Sequence, residues 1–146
     1  MADYKISDLT AHPLTRLQGT DLLEVSYDDS GTFKSRKIAA SKLRPYKVYC
    51  ANLTQTSTNA PTADVFENTL SGTPTFSYDG VGVYNITLTG EWTADKVFIL
   101  ICNFGDNVVS ASRVDSNIIK IETYDNTGAA VDAVLTDSSI EIRVYP

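Results

Sequence analysis

From Tyr46 onward the chain is a succession of short segments in which apolar and polar residues alternate, each closed by turn-forming residues. This rhythm constrains the fold more than any other feature, because strict alternation places successive side chains on opposite faces of a strand. The pattern predicts strands over 48–55, 64–68, 75–78, 83–89, 96–104, 108–113, 118–124 and 139–145, with Tyr84, Ile86 and Leu88 sharing one face and Ile140, Ile142 and Val144 facing inward. In 96–104, Val97, Ile99 and Ile101 on one face oppose Phe98, Leu100, Cys102 and Phe104 on the other, the signature of a strand covered on both sides, so the centre of the core is expected there. Turn signals such as Asp79-Gly80-Val81-Gly82 and Asp125-Asn126-Thr127-Gly128 separate the strands. Strands at this spacing point to an all-β protein, an antiparallel β-sandwich or barrel of about seven strands.

The first 45 residues differ in character. They hold the sole histidine, most of the basic charge and two of the five prolines. Residues 21–27 alternate, Asp28-Asp29-Ser30-Gly31 is turn chemistry, and 32–38 returns as a second strand, so a hairpin is expected. Residues 39–43 read as a helical turn, which Pro45 would end by disfavouring helix at Arg44. An isolated hairpin is marginal in water. Its apolar face, with Leu23 and Val25, is therefore expected to be buried against the second segment or a neighbouring chain. The expected organisation is a docking or hairpin module over 1–45 followed by a β-sandwich domain over 46–146.

Charge and cysteine usage narrow the function classes. The net charge of −6 leaves no lysine or arginine cluster large enough to displace counterions from nucleic acid. The densest basic run, Lys34-Ser35-Arg36-Lys37, sits beside Asp28 and Asp29 and reads as a solvated face. No apolar run approaches a bilayer span. Met1-Ala2-Asp3-Tyr4-Lys5 lacks the basic-then-apolar pattern of a secretory signal, so folding in a cytoplasm is expected, and the sequons at Asn52 and Asn85 carry no weight. Cys50 and Cys102 fall within predicted strands and read as reduced thiols.

No motif for chemistry emerges. His12 is the only imidazole and lies in loop-like sequence, with no nucleophile elbow anywhere. Two cysteines and one distant histidine do not make a zinc site. Asp28-Asp29-Ser30 and Asp125-Asn126-Thr127 offer oxygen ligands, but neither has the spacing of a calcium loop with its closing glutamate. Carboxylate pairs for glycoside hydrolysis could be drawn only from Glu67, Glu91, Asp95, Asp106, Glu122 and Asp132, all at turns or outward positions. The expectation is a protein without catalytic, cofactor-binding or metal-binding residues. Eight tyrosines and Trp92 read first as core or subunit-interface anchors, and they leave one alternative, a carbohydrate-binding module that stacks host surface glycan on Trp92 and Tyr84.

Two stretches carry a resemblance. Lys5-Ile6-Ser7-Asp8-Leu9, Leu17-Gln18-Gly19-Thr20-Asp21-Leu22-Leu23-Glu24-Val25, Lys37-Ile38 and Leu43 resemble a segment that recurs in tail-fibre, head-fibre and related appendage proteins of tailed bacteriophages. Tyr46-Lys47-Val48-Tyr49, Leu53-Thr54-Gln55-Thr56, Ala60-Pro61-Thr62-Ala63, Glu67-Asn68-Thr69-Leu70, Gly82-Val83-Tyr84 and Leu88-Thr89-Gly90 are similar to a β-domain in structural proteins of phages infecting Bacteroidetes-type hosts, crAss-like phages included. The resemblance implies a subunit of a head fibre, tail fibre or collar, usually trimeric, whose N-terminal module docks on another virion protein. It places the protein in the virion, with a lean to the head. The residues expected at the assembly interface are Ile6, Leu9, Leu17, Leu22, Leu23, Val25, Ile38 and Leu43. Repetitive shaft sequence and a large receptor-binding tip are missing, which favours a base, adaptor or short decoration over a complete adhesin.

Overall fold

The computed structural model describes residues 22–39, 43–103 and 105–146, and the chain divides between Arg44 and Pro45 into two compact units. In the first unit, β1 (Leu22–Asp29) pairs antiparallel with β2 (Thr32–Ala39), with Leu23 opposite Ile38 and Val25 opposite Arg36. The two-residue loop Ser30-Gly31 has positive φ at both positions, 54° and 84°, the tight turn whose twist matches that of the flanking strands. Ala39, expected to open a helical turn, ends β2 instead; positions 40–42 lie outside the described residues.

The second unit is two antiparallel four-stranded sheets packed as a β-sandwich, and no helix occurs among the described residues. One sheet has the order β4 (Thr62–Asn68), β3 (Lys47–Thr54), β10 (Ser138–Val144), β7 (Val97–Cys102). The other has the order β5 (Thr75–Gly80), β6 (Val83–Thr87), β9 (Ile118–Tyr124), β8 (Val108–Arg113). The unit thus has eight strands, one for each alternating segment and one more than the overall count of about seven, and the described residues hold ten in all.

The core forms between the central strands of the two sheets. Alternation delivers Tyr49, Ala51 and Leu53 from β3, and Ile140 and Ile142 from β10. From the other sheet come Tyr84 and Ile86 of β6, and Ile119 and Ile121 of β9. Trp92 and Leu135 reach the same core from connecting segments. Each such side chain contributes about 1.5–3 kcal/mol by leaving water. The Trp92 indole N–H is buried without a hydrogen-bond partner, a local cost that the ring's apolar burial outweighs.

The position of β7 overturns one expectation. This strand is the edge of its sheet, paired only with β10, and β8 of the other sheet lies beside it without pairing. Val97, Ile99 and Ile101 pack against the core, whereas Phe98, Leu100 and Cys102 are exposed on the outer face. A strand with the sequence of a doubly covered one is covered on one side.

Candidate assembly surface

The polar side chains with organised surroundings hold loops in place. Asp132, in the connection between β9 and β10, accepts from the Tyr84 hydroxyl at 3.0 Å and the Gly82 N–H at 2.7 Å on one oxygen, and from the Tyr78 hydroxyl at 3.1 Å on the other. The Gly82 N–H and the two hydroxyls keep its carboxyl below the ordinary value, although partial burial opposes them. Burial first, and the bond to Asp132 second, push the Tyr84 phenol up to about 12.

Glu91 is buried beside Lys47, whose Nζ donates to it at 2.9 Å, and it also accepts from the Ser71 hydroxyl. Burial raises its carboxyl, but the Ser71 and Lys47 hydrogen bonds and the lysine charge together outweigh that and leave it lowered. Asp125 accepts from the Thr127 hydroxyl (2.7 Å) and from the Thr127 and Ala129 N–H groups (2.8 and 3.0 Å), an Asx turn that uses one oxygen three times.

The six carboxylates considered for glycoside chemistry are spent separately. Glu91 and Asp132 belong to the two networks above, Glu122 pairs with Lys120 at 2.9 Å, and Asp95 and Asp106 are exposed beside turns. Glu67 lies on edge strand β4, opposite Cys50. No group of three or more histidine, cysteine, aspartate or glutamate side chains capable of holding a metal occurs among the described residues. No helix there is long and apolar enough to cross a membrane.

The stacking platform is corrected. Trp92 and Tyr84 are fully buried, so neither ring presents a face to a ligand. Trp92 is instead a core anchor, reached from the segment between two strands.

The outer face of the β4-β3-β10-β7 sheet remains. Its rows follow from the register. Cys102 faces Ser139, then Asn52; Leu100 faces Glu141, then Cys50; Phe98 faces Arg143, then Val48. Leu100 is 48 % exposed and Phe98 47 %. Arg143 is the hinge of this surface. Its guanidinium lies 4.9 Å from the Tyr46 ring centre and 5.4 Å from that of Phe98, and its Nε donates to Glu141 at 2.5 Å. Tyr46 in turn stacks at 5.3 Å on Tyr145. The Glu141 bond is the leading cause of an upward shift in Arg143, which stays charged. The result is an apolar row on the β7 edge, beside an ion pair whose charges cancel.

Cys50 and Cys102 share this face, but β10 runs between them. Two strand spacings separate them by about 10 Å, beyond the reach of a disulfide, which needs Cα atoms within about 7 Å. Both are unpaired thiols.

Of the residues expected at an interface, Val25 and Leu43 are 40 % and 54 % exposed and Ile38 is half-buried. Leu22 and Leu23 are placed only by backbone, in register with Ala39 and Ile38. Ile6, Leu9 and Leu17 lie outside the described residues. The exposed β7 row has a signal in the sequence, a run apolar on both faces, but that run predicts the centre of the core, whereas one of its faces is turned outward.

Comparison of the chain with protein-family models, with curated proteins and with solved structures finds no match.

Proposed function

We propose that this chain is a non-enzymatic structural protein of a bacteriophage virion, a trimeric head-fibre or fibre-base subunit that docks on another capsid or appendage protein. The observation that carries the reading is the exposed outer row of β7. Phe98, Leu100 and Cys102 stand in line on it, with Phe98 and Leu100 nearly half exposed, an apolar strip that covering by another chain would remove from water. The motifs within residues 5–43 and 46–90 support the virion setting by resemblance. The domain's organised polar groups, Glu91, Asp125 and Asp132, are engaged in holding loops, which suits a rigid building block. Assembly takes place in the host cytoplasm and the product resides in the virion.

Light scattering coupled to size exclusion on the full chain tests this. A mass near three times 15.9 kDa is expected. A stable monomer at micromolar concentration overturns the trimeric reading.

A further inference from the structure

The four edge strands of the sandwich are not alike. β4 carries Asp64 and Glu67, and its register against β3 shifts between Cys50 and Ala51, so that Phe66 has no partner in the ladder. β5 carries Asp79 at a second irregularity, next to Gly80. β8 ends in Arg113 and contains Ser110 and Ser112. Charges, bulges and irregular steps are the devices that keep an edge from pairing with another chain. β7 has none of them in its own sequence, and only β8 of the other sheet lies beside it, unpaired. Its sequence, Val97-Phe98-Ile99-Leu100-Ile101-Cys102, holds no charge, proline or glycine, and its register against β10 is unbroken.

We infer that copies of this chain meet one another across the outer face of β7, with Phe98, Leu100 and Cys102 turned toward the shared axis. The argument for a second copy, rather than a different protein, is electrostatic. A different protein could match a charge in this row with an opposite charge of its own. Copies related by rotation bring each residue near the axis against itself, so any charge there opposes its like. On a chain with net charge −6, the β7 row is a stretch of outer sheet face where self-approach meets no such repulsion. The adjoining charges, Glu141 and Arg143, are bonded to each other. Covering the row also resolves the mismatch between a doubly apolar strand and its singly covered position.

This inference rests on the proposed self-association but names the surface, and the two fail separately. The test compares the solution mass of the full wild-type chain with that of Leu100→Glu, Leu100→Lys and Phe66→Glu. Residues 100 and 66 are on exposed edge positions, so each variant keeps its fold, checked by Trp92 emission. Each residue-100 variant alone is expected to lose the oligomer at micromolar concentration, a weakening of roughly 100-fold or more. Mixing Leu100→Glu with Leu100→Lys is expected to restore an oligomer containing both, which requires residue 100 of one copy to lie near residue 100 of another. Phe66→Glu is expected to keep the wild-type mass. An oligomeric wild type whose mass is unchanged in both residue-100 variants overturns the β7 assignment and leaves self-association standing. Loss of the oligomer without recovery on mixing overturns the self-facing geometry. A wild-type monomer at every concentration overturns the self-association itself.

Discussion

Gly82 occupies a turn pressed against neighbouring backbone and offers a sharp energetic test of the fold. Its φ is +66°, and a Cβ at this position would stand 2.5 Å from the Thr123 carbonyl oxygen and 3.0 Å from the Val131 nitrogen, both backbone atoms. Its own N–H donates to Asp132 and its carbonyl accepts from the Thr123 N–H at 2.9 Å, so the turn cannot move aside without loosening both bonds. For Gly82→Ala, the left-handed conformation costs about 1–2 kcal/mol. Displacing packed backbone adds roughly 1–3 kcal/mol, and the stiffer unfolded chain returns about 0.4–1 kcal/mol. The net loss is about 2–4 kcal/mol. Gly128 is the control, because its φ is +87° but nothing lies within 4 Å of its Cβ position, leaving only the conformational part of about 1 kcal/mol. Urea unfolding followed by the fluorescence of Trp92, the one tryptophan, reads the domain directly. With a slope of about 2 kcal/mol per molar, Gly82→Ala should lower the midpoint by about 1–2 M and Gly128→Ala by about 0.5 M. Equal shifts for the two variants would refute the packing argument.

Three further outcomes are expected. Because the folded-state carboxyl of Asp132 is depressed, its contribution is present above the unfolded carboxylate range near pH 4 and is lost as pH falls through the lower folded value. Acid unfolding of Asp132→Asn, followed by far-ultraviolet circular dichroism, should therefore show a flatter acid limb on a less stable protein. Tyr84 works in the opposite direction. Its phenol is raised from 10.0 to about 12, so its contribution is complete below pH 10 and disappears as pH rises toward 12, and Tyr84→Phe should lose that alkaline limb in the same assay. Burial, followed by the nearby Glu141 and Glu67 charges, raises the Cys50 thiol, so its alkylation rate at pH 8 should fall below that of a model peptide thiol and rise in Glu141→Gln.

Much of the sandwich was legible because strands such as β10 and β6 keep one buried face at every second residue. Ile140, Ile142 and Val144, or Tyr84 and Ile86, can face inward in only one way once the period is two. The Asp28–Gly31 turn was legible for a similar local reason, since Ser30 and Gly31 tolerate the positive φ that a two-residue hairpin demands. Strand order was not legible. Whether β7 lies at the centre or the edge depends on β10, a partner some forty residues later that periodicity cannot identify. The Asp132 network was hidden for the same reason, as it joins Tyr78 and Gly82 to a carboxylate fifty or so residues away. Trp92 was ambiguous because a residue between strands has no period to assign it a face.

The central place of β10 has a consequence for how the chain comes off the ribosome. The β5-β6-β9-β8 sheet is complete once residues 75–124 have emerged, every strand having its neighbours within that stretch. The other sheet cannot close so early, because β3 and β7 are joined only through Ser138–Val144, and β3 waits about ninety residues for its partner. During that interval β3 is paired only with β4 and β7 with no strand, so both present apolar unpaired edges, the condition under which nascent chains aggregate and pairings of long sequence separation fold slowly. Synthesis therefore ends with one sheet formed and the other held open for a single strand, and inserting β10 both completes the core and withdraws β3 from competing chains.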